Sequence, residues 1–92
     1  MSITVVVPTA LRQYAGGNAN IEVEGTTVGE ALDELVTTHL DLKAHLYNKE
    51  GNLRSFVNLY LGDEDIRYLQ KEETPVDAGQ TLSIVPSIAG GR

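Results

Sequence analysis

The chain has 92 residues, 41% of them hydrophobic and none of them cysteine, with 13 acidic against 7 basic side chains and a formal charge of −6. That length makes one domain with room for a single core and no deep cleft, and the missing cysteines exclude disulfides, thiolate catalysis and cysteine metal sites. The charge argues against nucleic acid or anionic membrane as partners, which such a surface repels, and favours a basic partner whose attraction weakens with salt.

The first residues, Met1-Ser2-Ile3-Thr4, lack the basic start and long apolar run of a signal peptide, and no stretch is long enough to span a bilayer. The expectation is a cytoplasmic protein. Ile3-Thr4-Val5-Val6-Val7 is a β-branched run ended by Pro8, which predicts an opening strand. Asn20-Ile21-Glu22-Val23-Glu24 alternates strictly up to Gly25, predicting a half-buried strand that forms a hairpin with the first through a loop over 9–18 containing Gly16-Gly17. Thr27 followed by Glu30 has the spacing of a capping box, and Val28, Ala31, Leu32, Leu35 and Val36 make one helical stripe, so the main helix is predicted over 28–39. Residues 41–46 read as a short second helix and 48–52 as a polar connection. Strands are predicted at 56–61, 66–68 and 81–85, with turns at 62–65 and 76–80.

The order β, β, α, β, β, β fits an α+β fold: a β-grasp, or ubiquitin-like, mixed sheet of about five strands with one main helix, its terminal strands parallel and adjacent. Residues 1–88 are expected to form that domain and 89–92 a tail. Within 56–61, Val57, Leu59 and Leu61 share the face predicted to meet the helix, while Phe56, Asn58 and Tyr60 share the other. Phe56 and Tyr60 are then either covered by the protein's own loops or strands, or part of a partner-binding patch with Ile88 near the tail.

Other chemically suggestive residues have simpler readings. His39 and His45 lack further ligands at metal-site spacing and read as solvated or capping. Asp63-Glu64-Asp65 lacks the spaced oxygens of a calcium loop and reads as a hairpin turn. Gly16-Gly17 is followed by no Gly-Lys-Ser/Thr, and Ser83 and Ser87 lie in no nucleophile elbow. No internal constellation is catalytic, so the chain reads as a protein acted upon rather than an enzyme.

The C-terminal Ala89-Gly90-Gly91-Arg92 is different. Two glycines in succession make a thread slim enough for a narrow enzyme channel, and a chain end can present a backbone carboxylate. Arg92 holds the carboxyl group of Gly91 in a peptide bond, so the sequence as written reads as a precursor. The chain resembles the MoaD/ThiS family of ubiquitin-like sulfur carriers, and within it the CysO-type branch. The resemblance rests on Pro8-Thr9-Ala10-Leu11-Arg12 with Gly16-Gly17, on Phe56-Val57-Asn58-Leu59-Tyr60 with Asp63-Glu64-Asp65-Ile66-Arg67, and on Ile84-Val85-Pro86-Ser87-Ile88-Ala89-Gly90-Gly91. Arg92 is the departure, since carriers of this family ready for use end at the second glycine.

The resemblance implies a function. An ATP-dependent, E1-like (MoeB/ThiF-type) activating enzyme would adenylate the Gly91 carboxylate, with ATP used by that partner and no cofactor bound by the carrier. Sulfide would then displace AMP and leave a thiocarboxylate. In the CysO-type branch the thiocarboxylate attacks a serine-derived acceptor on a cysteine-synthase-like enzyme, and a metalloprotease releases cysteine. Gly91 would carry the sulfur, Gly90 and Ala89 would form the tail, and Arg92 would be removed by processing. Three alternatives stay open at this point: a small subunit of molybdopterin synthase or of another sulfur-transfer pathway such as thiamine synthesis or tRNA thiolation, a protein modifier joined to lysines through Gly91, and an interaction domain whose tail does nothing.

Overall fold

The computed structural model describes residues 2–54 and 57–86. Five strands form one sheet: β1 (Ser2–Val6), β2 (Asn20–Glu24), β3 (Val57–Leu61), β4 (Glu64–Asp65) and β5 (Thr81–Pro86), in the spatial order β2-β1-β5-β3-β4. β1 and β5 are the parallel central pair, and the other pairings are antiparallel. Two helices, α1 (Val28–Thr38) and α2 (Leu40–Leu46), complete the β-grasp expected from the order of elements.

Alternation along the strands decides which face meets the core. Ile21 pairs with Val5, Val5 with Leu82 and Leu82 with Leu61, so four apolar side chains stand in one row across the sheet. Ile3, Val7, Val23, Val57, Leu59 and Ile84 extend that face, and α1 brings Val28, Ala31, Leu32, Leu35 and Val36 into the same core. The predicted stripe is the buried stripe.

The start of α1 refines the expected capping box. Thr27 Oγ1 accepts from the Glu30 amide at 3.2 Å, but the Glu30 carboxylate accepts from the amide and hydroxyl of Thr26, both at 2.8 Å. Donation from the Thr26 amide, then from its hydroxyl, holds the Glu30 carboxyl below its ordinary pKa. α1 ends at Thr38, whose hydroxyl donates to the carbonyls of Glu34 and Leu35. The non-helical ψ of 78° at His39 then sets α2 on a new axis, where Leu42 and Leu46 close the core.

Two stretches depart from expectation. The loop over 9–18 contains a 3₁₀ helix, Thr9–Tyr14, pinned by Arg12, whose Nε donates to the Val7 carbonyl at 3.0 Å. Gly16 and Gly17 follow with φ of 67° and 82°, a region side chains with a Cβ enter at a cost. The strand predicted at 66–68 is another 3₁₀ helix, Ile66–Tyr68, and the short strand lies two residues earlier at Glu64–Asp65. The cause is local: the Asp65 carboxylate accepts from the Arg67 amide at 2.9 Å, which turns the backbone before a third strand residue can pair. From there the chain crosses to the start of α1, where Val28 donates to the Thr74 carbonyl and Val76 to that of Thr26. The polar connection over 48–52 is built around the Asn48 side chain, which accepts from the amides of Glu50 and Asn52 at 3.0 Å.

Candidate functional site

Two features of the sheet converge on the expected tail. The first is β5, paired on both sides and therefore among the elements hardest to open. Its last described pairing joins Pro86 to Val57. The described chain thus ends on a central strand. Ile88, Ala89, Gly90, Gly91 and Arg92, and also Phe56 and Ser87, lie outside the described residues.

The second feature is the face of the sheet turned away from the helices. One residue out of step with the core row, Asn20 pairs with Val6, Val6 with Ser83, Ser83 with Tyr60 and Tyr60 with Asp65. Val85 and Asn58 form the next cross-strand pair toward Pro86. Val85 is 42% exposed although its neighbours Leu82 and Ile84 are buried. Tyr60 and Val6 are half-buried, so the strands leave a partly open surface of mixed polar and apolar side chains beside Pro86. Of the partner-surface residues expected from sequence, Tyr60 stands on this face.

Beyond Tyr60 the hairpin end carries an ion pair. Arg67 Nη2 lies 2.7 Å from Asp65 Oδ2, and Arg67 Nε also donates to both carboxylate oxygens. Asp65 is 6% exposed, while the Arg67 side chain is 61% exposed. The Arg67 side-chain hydrogen bonds, followed by its backbone amide, hold the Asp65 carboxyl below its ordinary pKa, and the same contact raises that of the guanidinium. Tyr68, in the following turn, is 85% exposed. Sequence reasoning did not single out Val85 or Tyr68. Alternation of Leu82 and Ile84 with Thr81 and Ser83 carried the signal for Val85, which falls on the outward positions, whereas Tyr68 had none, because its segment read as a strand.

The remaining candidates are structural. His39 closes α1, its amide donating to the Leu35 carbonyl at 2.9 Å. His45 is half-buried rather than solvated, its ring stacked on Tyr14 with centroids 3.8 Å apart, which ties α2 to the 3₁₀ helix after β1. Asp63 sits in the turn made by Gly62 (φ 63°), while Glu64 and Asp65 belong to β4. Ser83 is a strand residue between Val6 and Tyr60. A cleft of about 470 Å³ on the helical side is bordered by Asp33, Lys43 and Tyr47. Burial, then the charges of Glu72 and Asp33, push the Tyr47 hydroxyl up to about 12, leaving it a neutral phenol rather than a base. Among the described residues no group of three or more metal-ligating side chains is assembled, and no helix is long and apolar enough to cross a membrane.

Comparison with known proteins agrees with this geometry. The chain matches the ThiS family over residues 5–91. It is 33% identical to the sulfur carrier protein CysO of Mycobacterium tuberculosis, with 99% of this chain and 100% of that protein aligned. A chain in the crystal structure of the Amycolatopsis orientalis BexX/CysO complex superposes with a TM-score of 0.86 at 42% identity, covering 97% of this chain and 99% of that one. Small archaeal modifier protein 1 of Haloferax volcanii is 32% identical over 88% of this chain and 91% of its own length.

Proposed function

Because the chain belongs to the ThiS family, we propose that it is a sulfur carrier of the CysO type, with Gly91 as the atom-bearing end and cysteine synthesis as the destination of its sulfur. The observation that carries the reading is the full-length match to proteins named sulfur carriers, in a family match that runs through Gly91. Residues 1–88 act as the grip that partner enzymes hold, and 89–92 as the tail that enters their active sites. Its work is placed in the cytoplasm.

The chemistry needs a free carboxylate. An oxygen of Gly91 attacks the α-phosphate of ATP on the activating enzyme, pyrophosphate leaves, and the acyl adenylate replaces an anion without a leaving group by a mixed anhydride with a good one, AMP. Sulfide adds to that carbonyl and expels AMP, leaving a thiocarboxylate, a softer nucleophile than the carboxylate. An amide carbonyl cannot take the first step, so Arg92 has to be cut from Gly91 beforehand, a task suited to a metalloprotease. A cysteine-synthase-like enzyme is the proposed acceptor. The outer face of the sheet at Tyr60 and Val85 is the surface on which these partners close, and Phe56 and Ile88 are the further contact residues expected from sequence.

The test compares two forms of the protein, ending at Gly91 and retaining Arg92, each incubated with activating enzyme, ATP and sulfide and then weighed intact. The Gly91 form should exchange one oxygen for one sulfur and the Arg92 form should not. Sulfur appearing elsewhere while the terminal carboxylate stays unchanged overturns the mechanism, and equal exchange in both forms removes the need for processing.

A second reading, a protein modifier joined through Gly91 to target lysines, draws on the likeness to small archaeal modifier protein 1. Lysines carrying a Gly90-Gly91 remnant in cellular proteins would favour it.

A further inference from the structure

At the hairpin end, a cleft of about 390 Å³ is lined by Tyr60, Tyr68, Asp63, Glu64 and the Asp65–Arg67 pair. We propose that this cleft receives an arginine side chain of a partner enzyme. The inference rests on the reading that the chain works docked on such enzymes, and it names what one of them has to offer.

Charge favours a cation. Arg67 spends its Nε and Nη2 on Asp65, so those two groups neutralise each other. The charge left in the lining is that of Asp63 and Glu64, both exposed and making no ion pair among the described residues. A cation entering therefore meets two carboxylates without having to break the internal pair. Tyr68 is 85% exposed, the most open of the large hydrophobic side chains described, and Tyr60 faces the same space while half-buried in the sheet. Aromatic faces attract cations, and the flat guanidinium can lie on a ring while its edge donates two parallel hydrogen bonds to a carboxylate. A lysine would supply the charge but neither the stacking nor the fork. Tyr60 is in register with Ser83 of β5, so the cleft continues the open face beside that strand, and an arginine held there would fix the register of a partner closing on the tail.

The test uses the full chain and two small probes, N-acetylarginine amide and the neutral isostere N-acetylcitrulline amide, titrated while backbone amide resonances are recorded. The arginine probe should give saturable shifts confined to residues 60–68 and bind about fivefold more tightly than the citrulline probe. Tyr68→Leu and the double substitution Asp63→Asn, Glu64→Gln should each weaken it, the latter on the order of tenfold. The dispersion of the same spectra reports folding. Equal binding of the two probes, shifts spread without saturation over other acidic positions such as Glu22, or variants that bind like the parent overturn the proposal. In the adenylation assay, with parent and double variant both ending at Gly91, the double variant should raise KM on the order of tenfold with kcat unchanged, and an unchanged KM overturns the assignment to a partner enzyme. The titration contains no ATP, sulfide or partner, so its failure is separable from failure of the sulfur exchange.

Discussion

Across the inner face of the sheet stand Ile21, Val5, Leu82 and Leu61; one residue along the same strands, the outer face carries Asn20, Val6, Ser83, Tyr60 and Asp65. The backbone is shared and the hydrogen-bond ladder is shared, yet Leu82 is fully buried and Val85 is 42% exposed. The inner row is constrained by volume, because every side chain on it is surrounded by others and by α1. The outer row is less enclosed: Val6, Ser83 and Tyr60 are half-buried, and Asp65, held by Arg67, is the buried member. The period of two in a β-strand gives its two faces different constraints, and the core fills only one of them.

The strongest way to break this comparison is to exchange the expected costs. Leu82→Ala empties a site at the centre of the core and should lower unfolding free energy by about 2–5 kcal/mol, whereas Ser83→Ala next to it should stay within about 0.5 kcal/mol. Denaturant titration of both decides the matter, and similar losses would show that the outer face is structural too.

Overpacking tests how closely the helical layer is held. A Cβ at Gly25 would lie 2.8 Å from the Ala31 amide nitrogen, a backbone atom that cannot turn aside. Gly25→Ala should cost about 1–3 kcal/mol. A neutral result would mean that the start of α1 can shift freely over the sheet.

On the other side, Val85→Arg should change stability by no more than about 0.5 kcal/mol but weaken association with the activating enzyme on the order of tenfold or more. Calorimetric binding beside a folding control measures both, and unimpaired binding would move the contact surface elsewhere.

The smallest effect is electrostatic and depends on pH. The Asp65 carboxyl is held below its ordinary value by Arg67, so the fold favours its charged form. Its contribution is complete above the unfolded-state pKa of about 4 and is lost as pH falls through the lower folded value. Asp65→Asn should therefore be less stable than the parent at neutral pH, and the gap should close on acidification below about pH 4. A gap that widens in acid would mean the pair does not stabilise the folded state.

How much of this was legible beforehand follows from the range over which each signal acts. Alternation in Asn20–Glu24, the apolar stripe from Val28 to Val36 and the β-branched run at the start are local patterns, and they placed β1, β2 and α1 within a residue or two. The diglycine within a family-like sequence pointed to the chemistry of the tail before any geometry was known. What a sequence pattern could not carry was competition between local and distant partners. At Asp65 a side chain captured the Arg67 amide and converted an expected strand into a turn. At His45 a ring that read as solvated found Tyr14 across a gap in sequence. The cleft of Tyr60 and Tyr68 arises only because that turn folds Tyr68 back toward β3. The sequence alone therefore determined β1, β2 and α1 and the hydrophobic face of each, and it supplied the expectation of a reactive end. Tertiary structure decided which outward side chains stand together, because that depends on strand order and register, which bring residues far apart in the chain into one row.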